Sequence, residues 1–532
     1  MSITDGFSFD PLTPLSFLDR VAAAHGDRIG VVDGADRWTY AQLHERCQRM
    51  AGGLAALAGG RPVAVLASNT HVSLEAAFGV PWAGVPLVPV NTRLSPREVA
   101  YVLEHSEASV LIHDSGFDEL VAGAVDLLQD PPTVMSAGER LENLIADAKP
   151  AAHTPADERS LLSINYTSGT TGKPKGVMYH HRGAYLQALA MVAHTGLSPS
   201  SAHLWTVPMF HCHGWCFTWA VTAAGGTHVC LPKVEPAQVW RSIREDGVTH
   251  LNGAPTVLSM LAHAPEAGDG VPADRRVKVA IGGAPPSPAI LRRMDALGFD
   301  VTHLYGLTET LGPVMICDWR PEWNELDSAA QARLKARQGV GNVISSRVRV
   351  VSGGGVDVPA DGATMGEIAL RGNNLMMGYH KDDEATRRAV PDGWFRTGDV
   401  AVTHPDGYVE LRDRAKDIII SGGENIASVE VEQVIADHPA VLEVAVIAVP
   451  DPKWGEVPAA YVTLRDGSTA SESELIAHVK ERIARFKAPK HVIFGELPKT
   501  STGKIQKHVL RESASALISR HGTLARFRAV RS

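Results

Sequence analysis

Residues 166–176 of the chain read Tyr-Thr-Ser-Gly-Thr-Thr-Gly-Lys-Pro-Lys-Gly. Almost every position there donates a hydrogen bond, carries positive charge or lacks a Cβ. Gly169 and Gly172 let backbone amides approach an anion closely. Thr167, Ser168, Thr170 and Thr171 add hydroxyl donors, and Lys173 and Lys175 supply charge. The chemistry of such a loop is a grip on phosphate. Its spacing is not that of a Walker A loop, which places four residues between its first glycine and Gly-Lys-Ser/Thr. A plain flexible loop is the alternative, and the density of donors and cations argues against it.

A second reactive cluster lies at residues 208–219, Pro-Met-Phe-His-Cys-His-Gly-Trp-Cys-Phe-Thr-Trp. His211, Cys212, His213 and Cys216 contain ligand atoms for a metal, but the remaining ligands of a zinc ribbon or finger are absent. The stronger reading is the wall of an organic pocket, with Trp215 one helical turn beyond His211.

These residues need a scaffold. Short apolar runs at 63–66, 85–90, 227–231, 277–281 and 301–305 read as strands, and helical stretches at 73–79 and 95–104 separate them. Ser95 with Glu98 forms a helix-start signature. Such alternation predicts largely parallel sheets covered on both faces. Beyond about residue 339 short strands at 348–351, 366–370 and 407–411 indicate a smaller β-rich unit. From Arg414 strands at 442–449 and 459–464 and helices at 428–437 and 472–486 make a small α+β domain, and the Arg-rich segment 513–532 reads as a mobile tail. The fold class is therefore α/β. A large N-terminal domain, residues 1–413, is built of stacked αβ subdomains plus the β-rich one, and residues 414–532 form a small α+β C-terminal domain.

The chain has 532 residues, room for several cores, and a formal net charge of −8, which argues against nucleic-acid binding. Five scattered cysteines indicate reduced thiols rather than a disulfide framework. No run of about 20 apolar residues suggests a membrane span. No signal peptide is visible at Met1, and a cytoplasmic enzyme is the natural expectation.

The loop at 166–176 resembles the phosphate loop of the adenylate-forming superfamily, which includes acyl-CoA synthetases, aryl-CoA ligases, luciferases and peptide-synthetase adenylation domains. Further motifs follow in the family's order: Gly-Gly-Ala-Pro-Pro at 282–286, Tyr-Gly-Leu-Thr-Glu-Thr at 305–310 and Gly-Trp-Phe-Arg-Thr-Gly-Asp at 393–399. Arg-Ala-Lys-Asp at 414–417 with Ser-Gly-Gly-Glu-Asn at 421–425, and Pro-Lys-Thr-Ser-Thr-Gly-Lys at 498–504, complete the set. The pattern around His211 is nearest to medium-chain, plant-type acyl-activating and methylthio-propionate–CoA ligases, except that His213 stands where those carry Asn. That departure leaves the acid open and the adenylation intact.

The resemblance assigns roles. Tyr305 and Gly306, with Gly283, Ala284 and Pro285, would sandwich adenine. Glu309, beside Thr308, would be an oxygen ligand for Mg²⁺ on the phosphates. Asp399 and Arg414 would contact the ribose, and Lys416 would be the hinge of the small domain. Lys504 would stabilise charge as the acid attacks the α-phosphate. Ser421, Gly422 and Gly423 would face CoA. His211 would sit near the carboxylate, and Trp215, Cys212, His213, Leu307 and Leu311 would line a slot for a short, medium-chain, thioether or aryl acid.

The implied reaction is an ATP-dependent acid–CoA ligation through an acyl-adenylate, with ATP, Mg²⁺ and CoA taking part. Adenylation with a carrier protein, an amine or a nitrite-type nucleophile as acceptor is the alternative. A nucleotide-binding protein without turnover is a third reading, which the intact Lys504, Glu309 and Asp399 oppose. Large α/β enzymes often pair, so a homodimer is a further expectation.

Overall fold

The computed structural model describes residues 9–167, 174–345, 347–500 and 504–521, with side chains through Ala514. Two large sheets form its body. The first has seven strands, and the run Leu87–Pro89, Val63–Leu66, Val110–His113 and Thr133–Ser136 is parallel throughout. Leu161–Tyr166 joins it in parallel, Gly176–His180 turns back antiparallel, and Gly378–Tyr379 closes that edge. The second sheet has nine strands, with Thr227–Val229, Ala202–Leu204, His250–Gly253, Val277–Ile281 and Phe299–Leu307 parallel in that order.

The strand sequences explain this arrangement. Val63–Leu66 and Val110–His113 are buried along their whole length, as strands covered on both faces must be. Ser95 opens the helix Pro96–Ser106 with a capping box to Glu98. A cap of this kind contributes about 1 kcal/mol. Between the two sheets lies an aromatic-rich core containing Tyr40, Phe78, Tyr179, Trp205, Phe217 and Trp219.

The predicted β-rich unit is a four-stranded antiparallel sheet of Arg349–Val351, Gly366–Leu370, Phe395–Thr403 and Val409–Arg414. Ile419–Ser421 then opens a five-stranded sheet backed by the helices Ser428–Ala436 and Glu472–Lys480. One expectation fails in part. The first part of the expected tail, residues 513–521, belongs to the helix Lys507–His521, and residues 522–532 lie outside the described residues. Leu510 and Ala514 bury against Ala445, Ile447 and Val457 of the small sheet, and this packing outweighs the surrounding polar composition.

Candidate active site

The predicted phosphate loop connects two strands that form a hairpin. Leu161–Tyr166 and Gly176–His180 pair antiparallel, and the Thr167 amide donates to the Lys175 carbonyl at 3.0 Å. Ser168, Gly169, Thr170, Thr171, Gly172 and Lys173 lie outside the described residues. His180 accepts from the Gly183 amide at 2.9 Å and so caps the helix His181–Thr195 that follows.

Tyr305 ends a buried strand, and its hydroxyl donates to Asp399 Oδ2 at 2.6 Å. Burial first, and then the Asp399 charge, hold the phenol pKa well above its usual value, so it remains a donor. Asp399 pairs with Arg414 across the antiparallel ladder, with Arg414 Nε 3.2 Å from Oδ1. That buried Oδ1 receives no aligned hydrogen bond, which leaves it an acceptor suited to a hydroxyl. Gly306 is required here because a Cβ on it would lie 2.1 Å from the Gly312 carbonyl oxygen. Gly283, at φ +85, has nothing within 4 Å of its Cβ position and presents open backbone beside Ala284 and Pro285.

The Thr308–Thr310 turn carries Glu309. Tyr179 anchors it by donating to the Thr308 carbonyl at 2.7 Å, and Tyr379 donates to Glu309 Oε1 at 2.9 Å. Among the described residues no group of three or more His, Cys, Asp or Glu is placed to hold a metal alone. A single carboxylate beside a phosphate loop fits Mg²⁺, which retains waters and takes its other ligands from phosphate oxygens.

At the acid end the Trp215 ring lies against Gly282, where a Cβ would come within 3.2 Å of it. The expected helical turn is absent. Cys212, His213, Trp215 and Cys216 all have φ between +47 and +66, so this stretch is a left-handed turn. Such backbone costs about 1–2 kcal/mol per residue and persists only where packing enforces it. The turn separates side chains assigned to one wall. His213 stacks on Trp219 at 4.8 Å inside the core, the Cys216 thiol donates to the Leu311 carbonyl at 3.0 Å, and Leu311 packs against Gly183. His213 and Leu311 are thus buried in the same core as Cys212 and Trp215. Leu307 is half-buried beside Tyr305, and Cys212 reaches the Thr308 hydroxyl at 3.6 Å.

Lys504 belongs to the small sheet's side of the cleft, its amide donating to Thr500 Oγ1 at 3.1 Å. The side chain is open to solvent, yet its ammonium lies among enough protein, with Arg414 next in effect, that its pKa falls to about 8. Asp399 and Asp417 oppose that shift, and the Lys504 charge is also felt at His211. Burial lowers the Lys416 pKa as well, and Lys416 lies two residues beyond Arg414 on the connection into the small sheet. Ser421, Gly422 and Gly423 form a hairpin turn, with φ of +60 and +88 at the glycines and the Trp454 ring over Gly422.

Residues 18–380 match the family described as AMP-binding enzyme, and residues 430–504 match the AMP-binding enzyme C-terminal domain. The chain belongs to the AMP-binding enzyme family. Within it, the chain is 42% identical to an acetate/butyrate–CoA ligase of Arabidopsis thaliana, over 96% of each protein. It is 43% identical to a 2-methylpropanoate–CoA ligase of Humulus lupulus, again over 96% of each. An anthranilate CoA ligase solved with anthranoyl-AMP superposes with a TM-score of 0.87 at 25% identity, covering 97% of this chain and all of that one. The expected α/β adenylate-forming fold is thereby established. Sequence reasoning missed Tyr179 and Tyr379, because a tyrosine in a strand gives no sign that its hydroxyl reaches the Glu309 turn.

Proposed function

We propose that the protein is an ATP-dependent acid–CoA ligase that forms an acyl-adenylate and transfers the acyl group to the CoA thiol. The observation that carries this reading is the contact chain Tyr305–Asp399–Arg414, with Lys504 feeling the Asp399 and Arg414 charges and Glu309 on the turn that follows the Tyr305 strand. Asp399 Oδ1 accepts from a ribose hydroxyl while Tyr305 fixes the carboxylate. Glu309 would hold Mg²⁺, which supplies charge neutralisation on the polyphosphate. Lys504 then stabilises the negative charge gathering between the acid and the α-phosphate. The acid oxygen bonds to phosphorus, pyrophosphate leaves, and His211 borders the new mixed anhydride.

In the second half-reaction the CoA thiolate attacks the acyl carbon and AMP departs. Rotation of residues 414–532 about Lys416, relative to residues 1–413, would withdraw Lys504 and bring Ser421, Gly422 and Gly423 to the cleft. Trp215 against Gly282 supports a small or flat acid, and the similarity to acetate/butyrate–CoA and anthranilate CoA ligases supports the same class. No helix among the described residues is long and apolar enough to cross a membrane. Cytoplasmic residence and a homodimer are further proposals, checked by fractionation and by light scattering.

The test is pyrophosphate release from ATP and Mg²⁺ across short, medium-chain, thioether and aryl acids, each with and without CoA. Release with one acid class, together with thioester formation, supports the ligase. Release without CoA consumption would assign a different acceptor.

A further inference from the structure

The strand Gly378–Tyr379 joins the two halves of the phosphate site. It pairs antiparallel with Val177 and Met178, immediately beyond the loop, and the His380 amide donates to the Gly176 carbonyl at 2.7 Å. A few residues earlier, the Met376 amide donates to the Glu309 carbonyl at 2.9 Å. The backbone of one short segment therefore ties the end of the phosphate loop to the Glu309 turn.

The Tyr379 side chain repeats that link. Its hydroxyl donates to Glu309 Oε1 at 2.9 Å, and the Lys175 ammonium lies 4.6 Å from its ring centroid. Tyr379 is 8% exposed, and its amide donates to Thr386 Oγ1 at 2.9 Å, which restrains the backbone carrying the ring. One phenol thus contacts the acidic group of the site through its oxygen and a basic group of the loop through its π face. A phenol can hold a carboxylate by hydrogen bond and an ammonium by its quadrupole together, whereas phenylalanine offers only the second contact.

We propose that Tyr379 is a positioning residue for the polyphosphate. It fixes the direction of the Glu309 carboxylate and the place of the Lys175 ammonium, so that the metal-bearing and phosphate-facing charges hold one separation. The inference rests on the nucleotide-binding reading of this cleft. Its ligand is the metal complex of a nucleoside triphosphate, and the contact that matters most is the one through Glu309.

The experiment compares wild type, Tyr379→Phe, Glu309→Gln and the double variant by calorimetric titration with Mn²⁺·ATP in the absence of acid. The half-saturating Mg²⁺ concentration for pyrophosphate release is measured alongside. Tyr379→Phe keeps the ring, its packing and the Lys175 contact. It is expected to weaken Mn²⁺·ATP binding about tenfold and raise the Mg²⁺ requirement similarly, with the KM for the acid unchanged. In the Glu309→Gln background the same change is expected to have less than a twofold effect, because the group it positions has lost its charge. Equal weakening in both backgrounds would overturn the proposal, as would unchanged Mn²⁺·ATP affinity in Tyr379→Phe. Absence of pyrophosphate release from the wild type with every acid would instead count against the ligase reading, since the binding titration does not depend on turnover.

Discussion

Replacing Lys504 by alanine tests the division of labour between the two half-reactions. The ammonium has a pKa of about 8, lowered first by the protein around it and then by Arg414, with Asp399 and Asp417 opposing. A lysine lowered in this way is charged below its pKa and neutral above it. On that value about nine-tenths of the enzyme carries the charge at pH 7 and about one-tenth at pH 9. Wild-type adenylation should therefore show a basic limb at about pH 8 or somewhat above, since water in the open cleft resists the shift. Removing one preorganised charge stabiliser costs roughly 10²–10³ in rate. Lys504→Ala should lose adenylation by that factor and lose the limb with it. Attack of CoA on supplied acyl-AMP should stay within about threefold of wild type and show no such limb. The assay is single-turnover adenylation and thioester formation measured separately from pH 6 to pH 10. Equal loss in both half-reactions, or a basic limb that survives in Lys504→Ala, would refute the assignment.

Other residues give independent tests. Asp399→Ala removes the acceptor Oδ1 and strands the Tyr305 hydroxyl. The KM for ATP in pyrophosphate exchange should rise at least tenfold, and thermal unfolding should report a loss of about 1–3 kcal/mol. Gly306→Ala forces a methyl to within 2.1 Å of the Gly312 carbonyl oxygen, so the hairpin must open. A drop in melting temperature of several degrees with loss of nucleotide binding is expected, and a variant as stable and active as wild type would contradict the close approach. Trp215→Ala removes the indole lying on Gly282. Preference in kcat/KM should move toward longer or bulkier acids at about 1–3 kcal/mol per added methylene, and an unchanged acid profile would show that Trp215 does not bound the slot.

Much of the scaffold was legible because burial on both faces leaves strong apolar runs. The strands Val63–Leu66, Val277–Ile281 and Gly366–Leu370 fall where those runs predict, and Ser95 caps its helix as its spacing to Glu98 implies. The site was legible where motifs specify backbone. Gly306 has to be glycine because another chain segment touches it.

The acyl wall was harder to read. The spacing put Trp215 one helical turn beyond His211, yet four positive φ values turn His213 toward Trp219 and leave Trp215 on Gly282. Only Gly214 in that stretch favours such backbone, so periodicity gives no warning of it. The Lys507–His521 helix was missed for a related reason. Its apolar contacts, Leu510 and Ala514, are few, and the small sheet that stabilises them is distant in sequence.

The most direct measurement is mass-spectrometric detection of the intermediate. Wild-type protein is mixed with ATP, Mg²⁺ and an active acid, quenched without CoA, and compared with the same mixture after a CoA chase. Bound acyl-AMP is expected near one equivalent per chain, disappearing on the chase as acyl-CoA and AMP appear in equal amounts. Acyl-AMP that CoA does not consume, or no acyl-AMP with any acid, would contradict the ligase reading.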